Sequence, residues 1–179
     1  MSVHFIDSVV FGNSVGTPDM RQVFSETATY QRWLDVEVAL AKAQASLGMI
    51  PEAAAEVIAA HADAKLINLE AVQAHGKRTG HSLLGVLAEF RRLIAHDDAR
   101  YVHFGATTQD IIDTGLMLMI KDAYRWVESR LTEVMRLVAA LSEKHAGTVM
   151  VGFWLRDTAR PAIGRSRGKS FGGRQGSHR

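Results

Sequence analysis

From Thr108 to His145 the chain runs close to 38 residues with no proline and one glycine, Gly115. Apolar residues recur at steps of three and four through Ile112, Leu116, Ile120, Ala123, Val127, Leu131, Val134, Val138 and Leu141. That spacing keeps one face of a helix apolar over its whole length. At 1.5 Å per residue such a helix would be roughly 57 Å long, more than a lone small domain needs. Met117, Leu118, Met119, Trp126, Met135 and Leu137 lie off the line and widen it, so the helix is expected to pack on several others at once. The remaining helices are too few and too short to cover it. The expectation is a bundle completed by partner subunits or by further chain.

The segments before it read as helices too. Pro18 after Thr17 suits a first helical position, and a short helix would carry Met20, Val23 and Phe24 on one side. From Ser25 to Leu47 apolar residues recur at Tyr30, Trp33, Leu34, Val36, Leu40, Ala43 and Leu47, and Gly48 follows as a left-handed stop. Further helices are expected from Pro51 to Ala62, from Leu69 to His75 and from Ser82 to Ala95, the last carrying Leu83, Leu84, Leu87, Phe90 and Ile94. No stretch alternates apolar and polar residues long enough to argue for a sheet. The fold class is therefore all-α, with a helical domain over residues 1–105 and the first part of a helical bundle over 106–152.

The end of the chain has a different composition. From Phe153 to Arg179 there are 7 Lys plus Arg against one acid, Asp157, and 5 of the 15 glycines, so that piece is +6 while the preceding residues are −4. Apolar periodicity stops at the same point, and a disordered basic tail is expected over 153–179. With no cysteine, the chain has neither disulfides nor thiolate metal ligands. No basic start precedes an apolar run, and no window approaches the roughly 20 apolar residues of a membrane span. A soluble, cytoplasmic protein is expected. HExxH, GxxxxGK[ST] and GxGxxG are all missing from the sequence, which removes the central residues of zinc-protease, P-loop and dinucleotide sites. Asp97 and Asp98 read as a solvated pair. Nucleic-acid binding would rest on Arg165, Arg167, Lys169 and Arg174 with Phe171, a meagre stacking surface.

The stretch Tyr101 to Thr114, YVHFGATTQDIIDT, carries the most chemistry. Thr107 followed three residues later by Asp110 is a variant of the capping box, and Gly105 permits a close backbone approach just before it. One reading is a well-capped helix and nothing more. The other is a receptor for a carboxylate or phosphate, built from free N–H groups, the hydroxyls of Thr107 and Thr108 and the amide of Gln109. Histidines 61, 75, 96 and 145 carry no comparable context and read as structural or surface residues.

This motif resembles the first signature region of the fumarase/aspartase superfamily, in the branch holding adenylosuccinate lyase and carboxymuconate cycloisomerase. Met20 to Pro51, MRQVFSETATYQRWLDVEVALAKAQASLGMIP, is similar to the family's N-terminal helices, and TGHSL from Thr79 to Leu83 is similar to a stretch bearing a functional histidine. The likeness covers roughly residues 18–152. It implies an enzyme that removes a proton beside a carboxylate and expels an oxygen or nitrogen leaving group, typically releasing fumarate, with no metal and no organic cofactor. It also implies a homotetramer in which each active site draws on three subunits, a small dicarboxylate-type substrate, and no role for nucleic acid. Carried onto this chain, Thr107, Thr108 and Gln109 match the carboxylate-binding part. His81 and His103 match histidines that contact substrate or assist proton transfer, a task for which imidazole suits because its pKa lies near neutrality.

The resemblance breaks off after Gly152. There the family pattern continues Arg-Thr and then His-x-Gln-x-Ala-x-Pro, whereas this chain reads FWLRDTARPAIGRSRGKSFGG. Thr158 to Ala162, read one nucleotide later with suitable codons, gives Gln-His-Ala-Leu-Pro. The tail thus reads as a frameshifted or recombined end of a truncated lyase, inactive by itself because neither the second-region histidine nor the family's catalytic serine has a counterpart here. Phe11-Gly12-Asn13 stand where a nucleotide-contacting Arg-Tyr pair is usual in adenylosuccinate lyases, and Thr29 and Ser82 replace an arginine and an aspartate. These changes favour a smaller substrate; the alternatives are a carboxymuconate cycloisomerase-like enzyme or a non-enzymatic fragment with a basic nucleic-acid-binding tail.

Overall fold

Helix ends in this protein lie where short polar side chains and glycines can satisfy the orphan backbone groups. The computed structural model describes residues 4, 6, 8, 10–94, 97–154 and 157–162, with 150–154 and 157–162 described by their backbone alone. Its helices are α1 (Gly12–Val15), α2 (Pro18–Val23), α3 (Glu26–Ser46), α4 (Glu52–Ala60), α5 (Leu69–Thr79), α6 (Ser82–Ile94) and α7 (Thr108–Lys144). Thr17 caps α2 through Met20 N at 3.2 Å with Pro18 at the first position, and Ser25 caps α3 through Ala28 N at 3.2 Å. The Asn68 side chain accepts from both Glu70 N and Ala71 N at the start of α5. Gly48 and Gly80, at φ 70° and 71°, follow α3 and α5 in the left-handed region that ends helices.

The all-α expectation holds for the body, and the boundaries shift little. The largest change is in α5, which continues past His75 to Thr79. One interior glycine, Gly76, costs only about 1 kcal/mol of helix propensity, and Thr79 Oγ1 bonds back to the His75 carbonyl at 2.9 Å.

The chain divides into two units, Met1–Trp126 and Val127–Arg179. In the first, the core is built by Tyr30, Trp33 and Leu34 of α3, Ile58 of α4, and Leu83, Val86, Leu87 and Phe90 of α6. α5 and α6 meet most closely at Gly85, where an added Cβ would lie 2.9 Å from the Val72 carbonyl oxygen and 3.2 Å from Val72 Cα. α7 begins in this unit and closes on α3 at Gly115, where a Cβ would come 2.7 Å from Trp33 Cδ1. Arg32 of α3 bridges to Asp122 of α7 at 2.5 Å and to Asp35 at 2.7 Å. Burial works against its charge, but the two carboxylates more than offset that and hold the guanidinium pKa above its usual value.

In the second unit, the remainder of α7 exposes Val127, Leu131, Val134, Val138 and Leu141, the stripe read from the sequence. Downstream, β1 (Met150–Trp154) pairs antiparallel with β2 (Asp157–Ala162) in the register Met150 to Ala162 and Gly152 to Arg160, with an irregularity before Trp154 to Asp157. This ribbon departs from the expectation of irregular chain from Phe153 onward. Neither MVGFW nor DTARPA alternates apolar and polar residues, so no strand pattern registers, and antiparallel pairing satisfies backbone groups whatever the side-chain charge. The bases proposed for nucleic-acid contact, Arg165, Arg167, Lys169 and Arg174 with Phe171, lie outside the described residues, as does His96. Among the described residues no helix is long and apolar enough to cross a membrane.

Two outcomes follow from this packing. Gly85→Ala should lower stability by about 1–3 kcal/mol, because overpacking against Val72 backbone exceeds the gain in helix propensity; a urea midpoint equal to or above wild type would contradict it. The exposed α7 stripe should make the isolated chain self-associate, and the double change Leu131→Lys with Val138→Lys should shift light scattering toward the monomer. A wild-type chain that scatters as a monomer would refute the second outcome.

Candidate functional site

The site begins in α3 with two polar residues on its buried side. Glu37 and Gln44 stand seven residues apart, a spacing that brings side chains back to one helix face, and both are buried alongside Trp33, Leu34 and Ala41. A carboxylate in such surroundings is costly unless donors reach it. Glu37, at 1% exposure, finds both of its donors on His103: the backbone N–H lies 2.9 Å from Oε2, and ring Nδ1 lies 2.7 Å from Oε1. Gln44 Nε2 donates to the Phe104 carbonyl at 2.6 Å, and Arg91 of α6 donates to the Val102 carbonyl at 2.9 Å.

Three consecutive loop residues are therefore held by side chains from two helices. The restraint matters because His103 sits at φ 61°, in the left-handed region where a non-glycine residue costs roughly 1–2 kcal/mol. Gly105, at φ 69°, adopts the same region without that cost. Two such residues so close together turn the chain sharply into α7.

At the start of α7 the capping box takes its expected form. Thr107 Oγ1 donates to Asp110 Oδ2 at 2.5 Å, the Thr107 N–H approaches the same oxygen at 3.4 Å, and Asp110 N–H approaches Thr107 Oγ1 at 3.4 Å. Gln109 Nε2 donates to Asp113 Oδ1 at 2.7 Å. Thr107 and Gln109 are exposed and Thr108 is half-buried. Two of the three carboxylate-binding candidates thus have a donor engaged by a neighbouring acid, while Thr108 makes no side-chain hydrogen bond with the described residues.

His81 lies elsewhere, at the turn between α5 and α6. It lines a cleft of about 630 Å³ with Glu26, Tyr30, Gln73, Lys77 and Ser82, a lining that includes neither His103 nor Thr107, Thr108 or Gln109. Among the described residues, the buried ring nitrogen Nδ1 of His81 has no hydrogen-bond partner, and neither has that of His75. Across the cleft Tyr30 donates its hydroxyl to Glu26 Oε1 at 2.6 Å. Burial, then the Glu26 bond and charge, push the phenol pKa well above its ordinary value, so Tyr30 remains a donor. The structure brings His103 together with the α7 N-terminus along one pinned segment and sets His81 in a separate cleft.

Glu37, Gln44 and Arg91 did not stand out as site residues from the sequence. A signal for the first two was present in the spacing, since polar side chains at heptad separation on an otherwise apolar face demand buried partners. For Arg91, one of two adjacent arginines near the end of α6, no sequence signal separates it from a solvated base.

The sequence profile of a family described as lyase matches residues 13–163, continuing past Gly152 through the ribbon. The chain is 40% identical over 152 residues to the N-acetyl-S-(2-succino)cysteine lyase of Dickeya dadantii, covering 85% of this chain and 33% of that protein. It is 39% identical to the adenylosuccinate lyase of Methanocaldococcus jannaschii over the same share of this chain and 32% of that protein. Among solved structures, the 3-carboxy-cis,cis-muconate lactonizing enzyme of Pseudomonas putida superposes with a TM-score of 0.77 at 34% identity, over 86% of this chain and 36% of that one. The chain spans about a third of the length of the curated relatives it matches. With a profile match over most of its residues, the chain belongs to the lyase family of the fumarase/aspartase superfamily.

Proposed function

We propose that this chain supplies the carboxylate-binding segment and one imidazole of a lyase that eliminates a leaving group from a small dicarboxylate-type substrate, typically releasing fumarate. The observation that supports this reading is the pinned run from Val102 to Phe104 leading into α7, which fixes His103 a few residues before the helix start. Donors fixed in advance are what such a reaction needs, because negative charge builds on the substrate carboxylate as its neighbouring carbon loses a proton. On this reading Thr107, Thr108 and Gln109 bind the carboxylate, His103 and His81 contact substrate or assist proton transfer, and no metal or organic cofactor takes part.

Residues 106–152 then begin a central bundle shared by a homotetramer, for which the exposed apolar stripe of α7 is the support. Sites composed of several subunits also account for His81 lying in a cleft apart from His103. The 179 residues alone are inactive on this reading, since no residue here matches the second-region histidine or the serine of the resembling enzymes. A cycloisomerase is the second reading, favoured by the likeness to the muconate lactonizing enzyme.

Residues 1–152 joined in frame to the remaining two thirds of the Dickeya succinocysteine lyase relative should form fumarate from one of a panel of succinyl adducts, or cyclise a carboxymuconate if the second reading is right. No turnover of any of them by a folded tetramer would overturn both. In an active hybrid, Thr108→Val should reduce turnover by roughly 10²-fold to 10³-fold, the effect of losing one preorganised donor at developing charge. Thr107→Val should in addition cost about 1 kcal/mol of stability through the lost cap. Equal rates for Thr108→Val and wild type would leave that residue a purely structural one.

A further inference from the structure

Glu37 reaches His103 across 66 positions of sequence and holds it twice. Its Oε2 accepts the backbone N–H at 2.9 Å and its Oε1 lies 2.7 Å from ring Nδ1. The main chain of the same histidine sits at φ 61°. A single carboxylate at 1% exposure therefore fixes both the backbone and the ring of a residue in a conformation it rarely adopts. A carboxylate has only lone pairs to offer, so the nitrogen facing Oε1 must carry the hydrogen. The other nitrogen, Nε2, is then the only one at which a proton can come and go.

We infer that Glu37 is a positioning residue that locks His103 in the Nδ1–H tautomer and leaves Nε2 as the atom available to a substrate. The inference deepens the lyase reading and rests on it for the use made of Nε2. The tautomer itself is a property of the ligand-free chain. A failed lyase assay and a failed tautomer measurement therefore refute different statements.

The geometry gives Glu37→Gln a specific consequence. An amide has one oxygen and one NH2 group, yet two donors face it. The backbone N–H cannot give up its hydrogen, so the amide oxygen must turn to it, and the NH2 group then points at Nδ1. That nitrogen can accept only by passing its hydrogen to Nε2, and the tautomer reverses. A role for Glu37 in packing alone predicts no such exchange.

Nitrogen-15 NMR of the full 179-residue chain with labelled histidine, above the pH at which the ring is protonated, reads the two states directly. The His103 signals are assigned by their loss in His103→Gln. In the wild type His103 should show a hydrogen-bearing Nδ1 and a bare Nε2. In Glu37→Gln the two signal types should change places, while the signals of His75 and His81 stay put and report that the fold is kept. An unchanged His103 tautomer in a folded Glu37→Gln chain would overturn the inference. Should that variant fail to fold, the wild-type ring alone decides: a bare Nδ1, or nitrogens averaged between two tautomers, overturns it, and a single Nδ1–H form sustains it.

Discussion

A buried carboxylate on α3 governs the geometry of the whole N-terminal part of the site. Glu37 is surrounded by apolar core and would be costly there without donors, and the donors it receives come from one residue of a distant loop. The dependence runs in both directions. His103 needs the carboxylate to compensate its left-handed backbone, and the carboxylate needs the two donors of His103 to satisfy its oxygens inside the protein. Gln44 and Arg91 extend the same arrangement to the residues on either side, so the loop has backbone groups satisfied by side chains rather than by regular structure.

That loop delivers the chain to α7, and α3 then holds the next stretch as well. Gly115 lets α7 approach Trp33 closely, Asp122 meets Arg32, and Thr29 Oγ1 lies 3.5 Å from Met119 Sδ. About the first four turns of α7 are therefore referenced to α3, which shares the hold on the preceding loop with Arg91 of α6. Thr29 stands where the resembling enzymes usually carry an arginine, and here it also back-bonds to the Ser25 carbonyl at 3.0 Å. A hydroxyl committed to its own helix and set against Met119 serves helix packing.

Helices, caps and the α7 stripe were legible in the sequence because each is a local signal: a Thr-Pro pair, a glycine after an apolar run, a repeat of three and four. The family was legible from Tyr101–Thr114 because that motif is contiguous. Glu37 was legible only as a buried polar residue, from its spacing to Gln44, since its partner lies 66 residues away and no local pattern encodes that contact. The separation of His81 from His103 is a tertiary fact of the same kind. The ribbon at Met150–Trp154 and Asp157–Ala162 was missed for the opposite reason, because charge and glycine content described the tail on average while a few residues at its start still pair.

The capping box also changes how the carboxylate-binding residues rank. Asp110 places negative charge within the first turn of α7, where it stabilises the helix by opposing the dipole and accepts from Thr107. The same charge repels an incoming carboxylate, and the Thr107 hydroxyl cannot serve both partners with its single hydrogen. Gln109 is similarly drawn to Asp113. The three residues differ in their hydrogen bonds: Thr108 is half-buried and uncommitted among the described residues, so on the proposed reading it would donate to a substrate without first breaking a bond. On the proposed reading, anion affinity at this helix start would therefore rest on the Thr108 hydroxyl and on the backbone N–H groups that the cap leaves free. In such a site the acids beside them would limit how tightly a carboxylate binds in the ground state, and binding energy would be gained only as charge develops.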